Sequence, residues 1–79
     1  MRELLKFILE KLVGESNFEI EEVPENDDFI SLTVYVQADD MGLIIGKEGA
    51  TIKSIRNILR IKAILEKKAF TLNVVEKAA

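Results

Sequence analysis

The chain has 79 residues, a formal net charge of −3, 48% hydrophobic residues, and neither cysteine nor histidine. This length suits one small domain, which we predict to span residues 1–79. Without cysteine or histidine the chain lacks disulfides, thiolate ligands, the commonest metal ligand and the usual general base, so we expect no metal or cofactor. The charged N-terminal segment is unlike a signal peptide, and no apolar run approaches the length of a membrane span, which together predict a cytoplasmic protein.

The charges divide sharply between the two halves of the chain. Residues 1–40 contain three basic and eleven acidic side chains, a net charge of −8, whereas residues 41–79 contain eight basic and three acidic, a net charge of +5. Screening limits the reach of distant charges to about 8–10 Å at ordinary salt, so a basic face can attract an anion although the whole chain is acidic. Two ordinary solvated faces explain the same division, so charge alone does not decide the function.

The first half of the chain predicts one helix and two strands. Apolar residues at helical spacing predict an amphipathic helix over residues 2–13, which ends at Gly14. Residues 17–23 alternate as a strand that we expect to end at Pro24, followed by a polar hairpin loop. Residues 29–36 form the clearest strand, with Phe29 and Tyr35 on the face opposite its aliphatic row. The short loop predicts antiparallel pairing of the two strands.

The second half predicts two helices and a last strand. Asp39 is the predicted N-cap of a short helix over residues 40–45, an interpretation that we favour over a metal site at Asp39 and Asp40. A long helix is predicted over residues 50–67, and a strand over residues 70–75. Two rows of the long helix are expected to face the core: Ile52, Ile55 and Leu59, and Ile58, Ile61 and Leu65. The order α-β-β-α-α-β predicts an α+β fold with three helices packed on one face of a three-stranded sheet.

A glycine turn joins the two helices of the second half. Gly46 and Gly49 enclose Lys47 and Glu48, and a helix begins after them. Glycine permits positive φ and close backbone approach, and the free N–H groups at a helix start suit an anionic phosphate. The segment G-L-I-I-G-K is one residue short of a P-loop, and Glu48 stands where serine or threonine is required. We therefore exclude nucleotide hydrolysis and interpret the turn as a clamp for a nucleic-acid backbone.

The segment I-I-G-K-E-G-A-T-I-K-S-I-R resembles the signature of KH domains, in which I-G-x-x-G precedes a helix with the pattern x-x-I-x-x-I. The matching positions are Ile45, Gly46, Gly49, Ile52 and Ile55. The predicted element order is that of the type II, prokaryotic arrangement. Over its whole length the chain is similar to the small stand-alone bacterial KH proteins of the KhpA (YlqC) family. The resemblance implies binding of single-stranded RNA in a groove between the helix–turn–helix and the sheet edge, with the loop clamping about four nucleotides.

The resemblance also implies a site around the glycine turn. Lys47 and Lys53 are expected to neutralise phosphates, and Arg56 is expected to contact bases together with Ile44. Lys53, Arg56 and Arg60 recur at i, i+3 and i+7, which puts them on one side of the long helix, although a solvated face explains Arg60 equally well. The predicted RNA-binding residues are Ile44, Gly46, Lys47, Glu48, Gly49, Ala50, Lys53, Arg56 and Arg60.

Two functions remain open at this point. The resemblance implies an RNA chaperone or post-transcriptional regulator that forms a homodimer, or a heterodimer with a second KH protein of the KhpB (Jag) type. Ala50 departs from a position that is often basic in the family, and Glu48 puts a negative charge in the loop. These departures, with the acidic first half, favour the alternative of a protein-interaction module with weakened or lost RNA binding. An enzyme is not expected, because the chain offers no histidine, cysteine or organised carboxylate pair.

Overall fold

The computed structural model describes residues 1–14 and 18–77. The elements are α1 (Arg2–Val13), β1 (Phe18–Asn26), β2 (Phe29–Val36), α2 (Ala38–Ile45), a 3-10 turn (Lys47–Gly49), α3 (Ala50–Glu66) and β3 (Ala69–Glu76). This order confirms the predicted α+β fold and its type II KH arrangement, with the 3-10 turn at the glycine turn. Across the described part of the chain, no helix combines the length and apolarity needed to cross a membrane.

The sheet has three strands in the order β1-β2-β3. β1 pairs antiparallel to β2, as predicted, and β3 pairs parallel to β2 along its whole length. Burial alternates along β2, where the buried side chains are Ile30, Leu32, Val34 and Val36. Since successive side chains of a strand point to opposite faces, one face of the sheet is covered and the other is open.

All three helices contribute to the core on the covered face of the sheet. The buried apolar residues from outside β2 are Leu5, Leu9, Val13, Ile44, Ile55, Leu59, Ala63 and Leu72. They come from α1, α2, α3 and β3, so the helix–turn–helix unit is held against the sheet by both of its helices. The glycine turn therefore lies between two anchored helices.

β1 is longer than predicted. The strand continues through Pro24 to Asn26, so the prediction that it ends at Pro24 is wrong; the predicted first residue, Asn17, lies outside the described residues. β1 is an edge strand, where a proline that donates no hydrogen bond is tolerated, and the register shifts between Pro24 and Asn26. The turn is reduced to Asp27 and Asp28, and the Asp28 N–H donates to Asn26 Oδ1 at 2.8 Å.

The helix ends also differ from the predictions. α2 begins at Ala38 after an N-cap at Gln37, so Asp39 lies in the first turn of the helix and is not its cap. An acidic side chain there still interacts favourably with the helix dipole. α3 ends at Glu66 because Lys67 adopts a left-handed conformation with φ of 58°. The Lys68 N–H donates to the Ala63 carbonyl at 2.9 Å, which is the closing hydrogen bond of a Schellman motif.

Only one of the two predicted core rows of α3 is buried. Ile55, Leu59 and Ala63 are buried, and Ile52 packs against them in part. The prediction for Ile58, Ile61 and Leu65 is wrong, since 43%, 63% and 76% of their surfaces are exposed. A helix lying on a narrow sheet contacts it along one stripe, so a second apolar row has nothing to cover it.

The open face of the sheet presents the alternate residues of β2. Phe29 and Tyr35 lie there half-buried, as predicted. The Tyr35 hydroxyl donates to Glu21 Oε1 at 3.4 Å. The negative charge of Glu21 disfavours the phenolate and so raises the pKa of Tyr35 above 10.0. Acidic β1 side chains therefore border this face, and one of them, Glu19, accepts from Lys77 Nζ at 3.1 Å just beyond the end of β3.

Candidate functional site

The glycine turn reverses the chain within four residues. α2 ends where Gly46 takes φ of 75° and ψ of 174°, and the Gly46 N–H donates to the Gly42 carbonyl at 2.9 Å. The Gly49 N–H then donates to the Gly46 carbonyl at 3.1 Å, and Gly49 is left-handed with φ of 76°. Both glycines therefore occupy conformations that side-chain-bearing residues rarely adopt.

The two glycines serve different purposes in the structure. A Cβ atom at Gly46 would overlap the Thr51 side chain and lie 2.8 Å from the Thr51 backbone nitrogen. Gly46 is therefore needed for the turn to pack against the start of α3. A Cβ atom at Gly49 would meet only Ile52 Cγ2, at 3.9 Å. The Gly49 side of the loop is consequently open to an approaching molecule.

The two residues between the glycines are exposed. Glu48 has φ of 55°, a left-handed conformation that costs about 1–2 kcal/mol for a residue other than glycine. Backbone strain of this kind is concentrated at binding sites, where surrounding structure enforces it. Lys47 precedes it and, among residues 1–14 and 18–77, forms no salt bridge. The loop thus carries one cation and one anion side by side.

α3 begins with N–H groups that have no partner within the helix, except that the Ala50 N–H donates to the Lys47 carbonyl. Its N-cap is Gly49, which has no side chain to accept their hydrogen bonds, and its first turn contains no acidic residue. Ala50, the first residue of the helix, is exposed and adds no polar group. The first N–H groups of a helix together with its dipole favour an anion at this point.

A cationic row continues from the loop along α3. Lys53, Arg56 and Arg60 are all exposed, and none forms a salt bridge within the part of the chain that the structure describes. At 1.5 Å per residue they lie about 6, 10 and 16 Å from Gly49 along the helix axis. Unpaired cations spaced in this way suit a chain of several anionic groups.

A depression of about 250 Å³ lies between α3 and β3, beside the cationic row. It is lined by Arg56, Asn57, Arg60, Phe70 and Leu72. Asn57 and Phe70 were missed as site residues by the sequence analysis. Asn57 stands four residues after Lys53 and was therefore detectable from helical spacing, whereas nothing in the pattern of the last strand distinguishes Phe70 as a site residue. Two of the three cations of the row, Arg56 and Arg60, therefore line a surface depression.

Ile44 is the one predicted site residue that lies away from this surface. The prediction that it lines the groove is wrong, because its side chain is fully buried in the core. Its neighbour Ile45 is half-buried and is not part of the core cluster. One residue turns a helix by about 100°, so α2 presents Ile44 to the sheet and Ile45 to the side. The structure brings together the other eight predicted residues: Gly46, Lys47, Glu48, Gly49, Ala50, Lys53, Arg56 and Arg60.

Comparison with known proteins identifies the same family along nearly the whole chain. The family model described as KhpA/KhpB, KH domain matches residues 2–75. The RNA-binding protein KhpA of Clostridium perfringens is 33% identical over 76 residues, which cover 95% of this chain and 100% of the relative. The protein of the same name from Chlamydia trachomatis is 35% identical over 78 residues, covering 98% and 99% of the two chains.

A third relative shows the same similarity over a shorter stretch. The RNA-binding protein KhpA of Halalkalibacterium halodurans is 38% identical over 56 residues, which cover 68% of this chain and 74% of the relative. No solved structure matches the chain. The family model and the full-length relatives confirm the resemblance drawn from the glycine turn and the element order. The chain therefore belongs to the KhpA/KhpB family of KH domains.

Proposed function

We propose that this chain is a single KH domain over residues 1–79 that binds single-stranded RNA and catalyses no reaction. Its relatives are named RNA-binding proteins, and it shares their family over nearly its whole length. The observation that carries the proposal is the exposed, unpaired row of Lys53, Arg56 and Arg60, which begins beside the open Gly49 side of the loop. A row of cations with an adjoining groove is the arrangement used to follow a single-stranded backbone.

In the proposed binding mode, the RNA backbone passes over Gly49 and then along α3. The free N–H groups at the start of α3 bind one phosphate, and Lys47 and Lys53 neutralise its neighbours. Arg56 and Arg60 lie where the bases enter the depression between α3 and β3. Most of these contacts are to phosphate, so they give affinity without sequence information.

Glu48 and Ala50 limit the affinity. The Glu48 carboxylate stands next to Lys47 in the loop, where it repels the phosphate that Lys47 attracts. Ala50 offers no cation at a position that is often basic in the family, and its backbone N–H already donates to the Lys47 carbonyl. We infer modest affinity with a loose sequence preference, suited to a cytoplasmic RNA chaperone or post-transcriptional regulator that must release its RNA.

The affinity for random-sequence single-stranded RNA is expected to fall as salt concentration rises. If Lys47 and Lys53 each neutralise one phosphate, the slope of log K against log salt is roughly −1.4, because a single strand contributes about −0.7 per phosphate contact. Lys47→Ala should reduce the slope by about 0.7. Fluorescence anisotropy of labelled RNA over a salt series measures both slopes.

Lys6→Ala provides the matched control for this experiment. Lys6 is an exposed lysine on α1, where it lies 4.0 Å from Glu10 and away from the groove. Its replacement changes the net charge by the same amount as Lys47→Ala but should leave the slope unaltered. A slope near zero for the native protein, or equal slopes for the two variants, would contradict the phosphate contacts proposed for the loop.

A second candidate function, association with another KH protein, is favoured by the exposed apolar row of α3. Four large aliphatic side chains are exposed by 43% to 76% of their surface: Ile58, Ile61, Ile64 and Leu65. Helical spacing places them together on the side opposite the buried Leu59. Contiguous apolar surface of this kind marks a protein–protein contact. We propose that this row binds a second copy of the chain or a KhpB (Jag)-type KH domain.

Ile61→Asp is expected to abolish self-association while the protein stays folded. Ile61 is 63% exposed, so aspartate there meets water in the monomer but is desolvated in a contact. Analytical ultracentrifugation should find the native chain associating with concentration and the variant monomeric, with the same circular dichroism. Phe7→Asp is the control, since Phe7 is similarly exposed, at 58%, on α1. A native chain that is monomeric at every concentration would contradict homodimerisation.

A further inference from the structure

The exposed apolar row and the cationic row of α3 meet at Arg60. Ile61 lies at the centre of the apolar row, and Arg60 and Lys62 are turned from it by about 100° in opposite directions around the helix. Lys62 Nζ lies 3.4 Å from Glu66 Oε2, whereas Arg60 forms no salt bridge within the described residues. The apolar row is therefore bordered by an unpaired cation on the Arg60 side and by a neutral ion pair on the other.

The spacing of the apolar row suits a second copy of the chain whose α3 runs in the opposite direction. Ile58 and Leu65 stand three and four residues from Ile61, so a reversed helix sets Ile58 against Leu65 of the other copy. The same arrangement brings the two Ile61 side chains together at the centre. Antiparallel helix dipoles attract each other, because opposite ends carry partial charges of opposite sign. A parallel pair would instead gather Lys67 and Lys68 of both copies at one end.

Two-fold symmetry then determines where the two Arg60 side chains lie. An axis that reverses the helix direction is perpendicular to both helices and passes between them, so the same side of each helix faces the same way. With a rise of 1.5 Å per residue and helix axes about 8–10 Å apart, the two Arg60 backbones are about 10 Å apart and the two Arg56 backbones about 19 Å apart. Only the Arg60 side chains can therefore reach one group between them.

Resting on the RNA binding and the self-association proposed above, we propose that the two Arg60 side chains of an antiparallel pair form one shared phosphate site. RNA that follows the cationic row from Gly49 reaches Arg60 last, about 16 Å along α3. Without RNA the two guanidinium groups repel each other, and a phosphate between them accepts hydrogen bonds from both. RNA therefore strengthens pairing, and pairing strengthens RNA binding by the same factor.

The test measures self-association by analytical ultracentrifugation at about 0.1 M salt, where charges act over about 10 Å. Without RNA, Arg60→Gln should associate about fivefold to tenfold more tightly than the native chain, because the repulsion between the guanidinium groups is removed. At about 1 M salt the two proteins should associate equally, since charges then act over only about 3 Å. One bound short oligouridine per two chains should tighten association of the native chain about fivefold to tenfold and leave Arg60→Gln unchanged.

Arg56→Gln is the matched control on the same helix. It removes the same charge from the cationic row, but the two Arg56 side chains lie too far from the axis to share a group. Self-association of this variant, and its response to bound RNA, should therefore equal those of the native chain. An RNA that merely carries two copies side by side would tighten association of Arg60→Gln as much as that of the native chain, which would overturn the shared site.

The other outcomes separate the shared site from the proposals on which it rests. Equal association of the native chain and Arg60→Gln at low salt without RNA would overturn the shared site and leave RNA binding and self-association standing. A native chain that stays monomeric with and without RNA would overturn self-association along with the shared site. Fluorescence anisotropy of the labelled oligouridine reports RNA binding separately, and failure to bind in that assay would overturn the proposed function itself.

Discussion

Replacing Gly49 with aspartate is expected to weaken binding of single-stranded RNA about tenfold or more while leaving the protein folded. A carboxylate at this position would lie close to the phosphate path proposed for the loop. Two like charges about 4 Å apart repel by roughly 1–4 kcal/mol at protein surfaces, and 1.4 kcal/mol corresponds to a tenfold loss. The φ of 76° strains a side chain at Gly49 by about 1–2 kcal/mol, but the fold should tolerate aspartate, because this residue adopts left-handed conformations more readily than most and its Cβ atom would meet only Ile52 Cγ2, at 3.9 Å.

Gly49→Asn is the matched control for the added charge. Asparagine and aspartate have nearly the same size, and both tolerate the left-handed conformation that Gly49 adopts. Any loss that the two variants share is steric, and the remainder is electrostatic. The electrostatic remainder should shrink as salt rises, since screening shortens the reach of charge to about 3 Å at 1 M ionic strength. Fluorescence anisotropy at low and high salt measures both parts.

Gly46 is the wrong glycine for this experiment. A side chain there would overlap Thr51 at the start of α3, so a loss of binding would be mixed with a loss of folded protein. Substitution of Gly49 avoids this difficulty and tests the open side of the loop directly. If Gly49→Asp binds RNA as tightly as the native chain at low salt, the backbone does not pass over Gly49. The proposed phosphate clamp would then be wrong, although the turn itself has the predicted conformation.

The strands and the element order could be predicted from the sequence because their patterns depend on local chemistry. Alternation from Phe29 to Val36 marks a strand with one covered face, and the structure has that strand with the same ends. The glycine turn was equally predictable, since few other residues allow its backbone conformation. The starts of helices were harder to predict. Asp39 has favourable N-cap chemistry, yet α2 begins before it, at Ala38.

The covered surface of α3 could not be predicted, because periodicity shows which residues are apolar and not what lies against them. Ile55 and Ile58 belong to equally regular rows, yet only Ile55 meets the sheet. The depression between α3 and β3 could not be predicted for the same reason. Phe70 lies on the same face of β3 as the buried Leu72, and it lines the depression only because α3 leaves a space beside it. Tertiary packing, not local pattern, distinguishes these residues.

The position of Ile44 leads to a prediction about stability that separates core from groove. Ile44→Ala is expected to destabilise the protein by about 2–5 kcal/mol, since the side chain is fully buried and its loss leaves a cavity. A chain of 79 residues has a total stability of about 4–12 kcal/mol, so this single change removes a large share of it. Urea denaturation followed by circular dichroism measures the free energy of unfolding.

The neighbours of Ile44 on α2 provide a comparison for this loss of stability. Leu43 is 54% exposed, so Leu43→Ala should cost about 0.5 kcal/mol or less, and Ile45→Ala should fall between the two. Ile44→Val removes one methylene at a cost of about 0.5–1.5 kcal/mol, which leaves enough folded protein for RNA binding to be measured. If Ile44 belongs only to the core, Ile44→Val binds RNA with native affinity. A variant of native stability that binds RNA weakly would instead return Ile44 to the groove, and α2 would have to be rotated relative to the sheet.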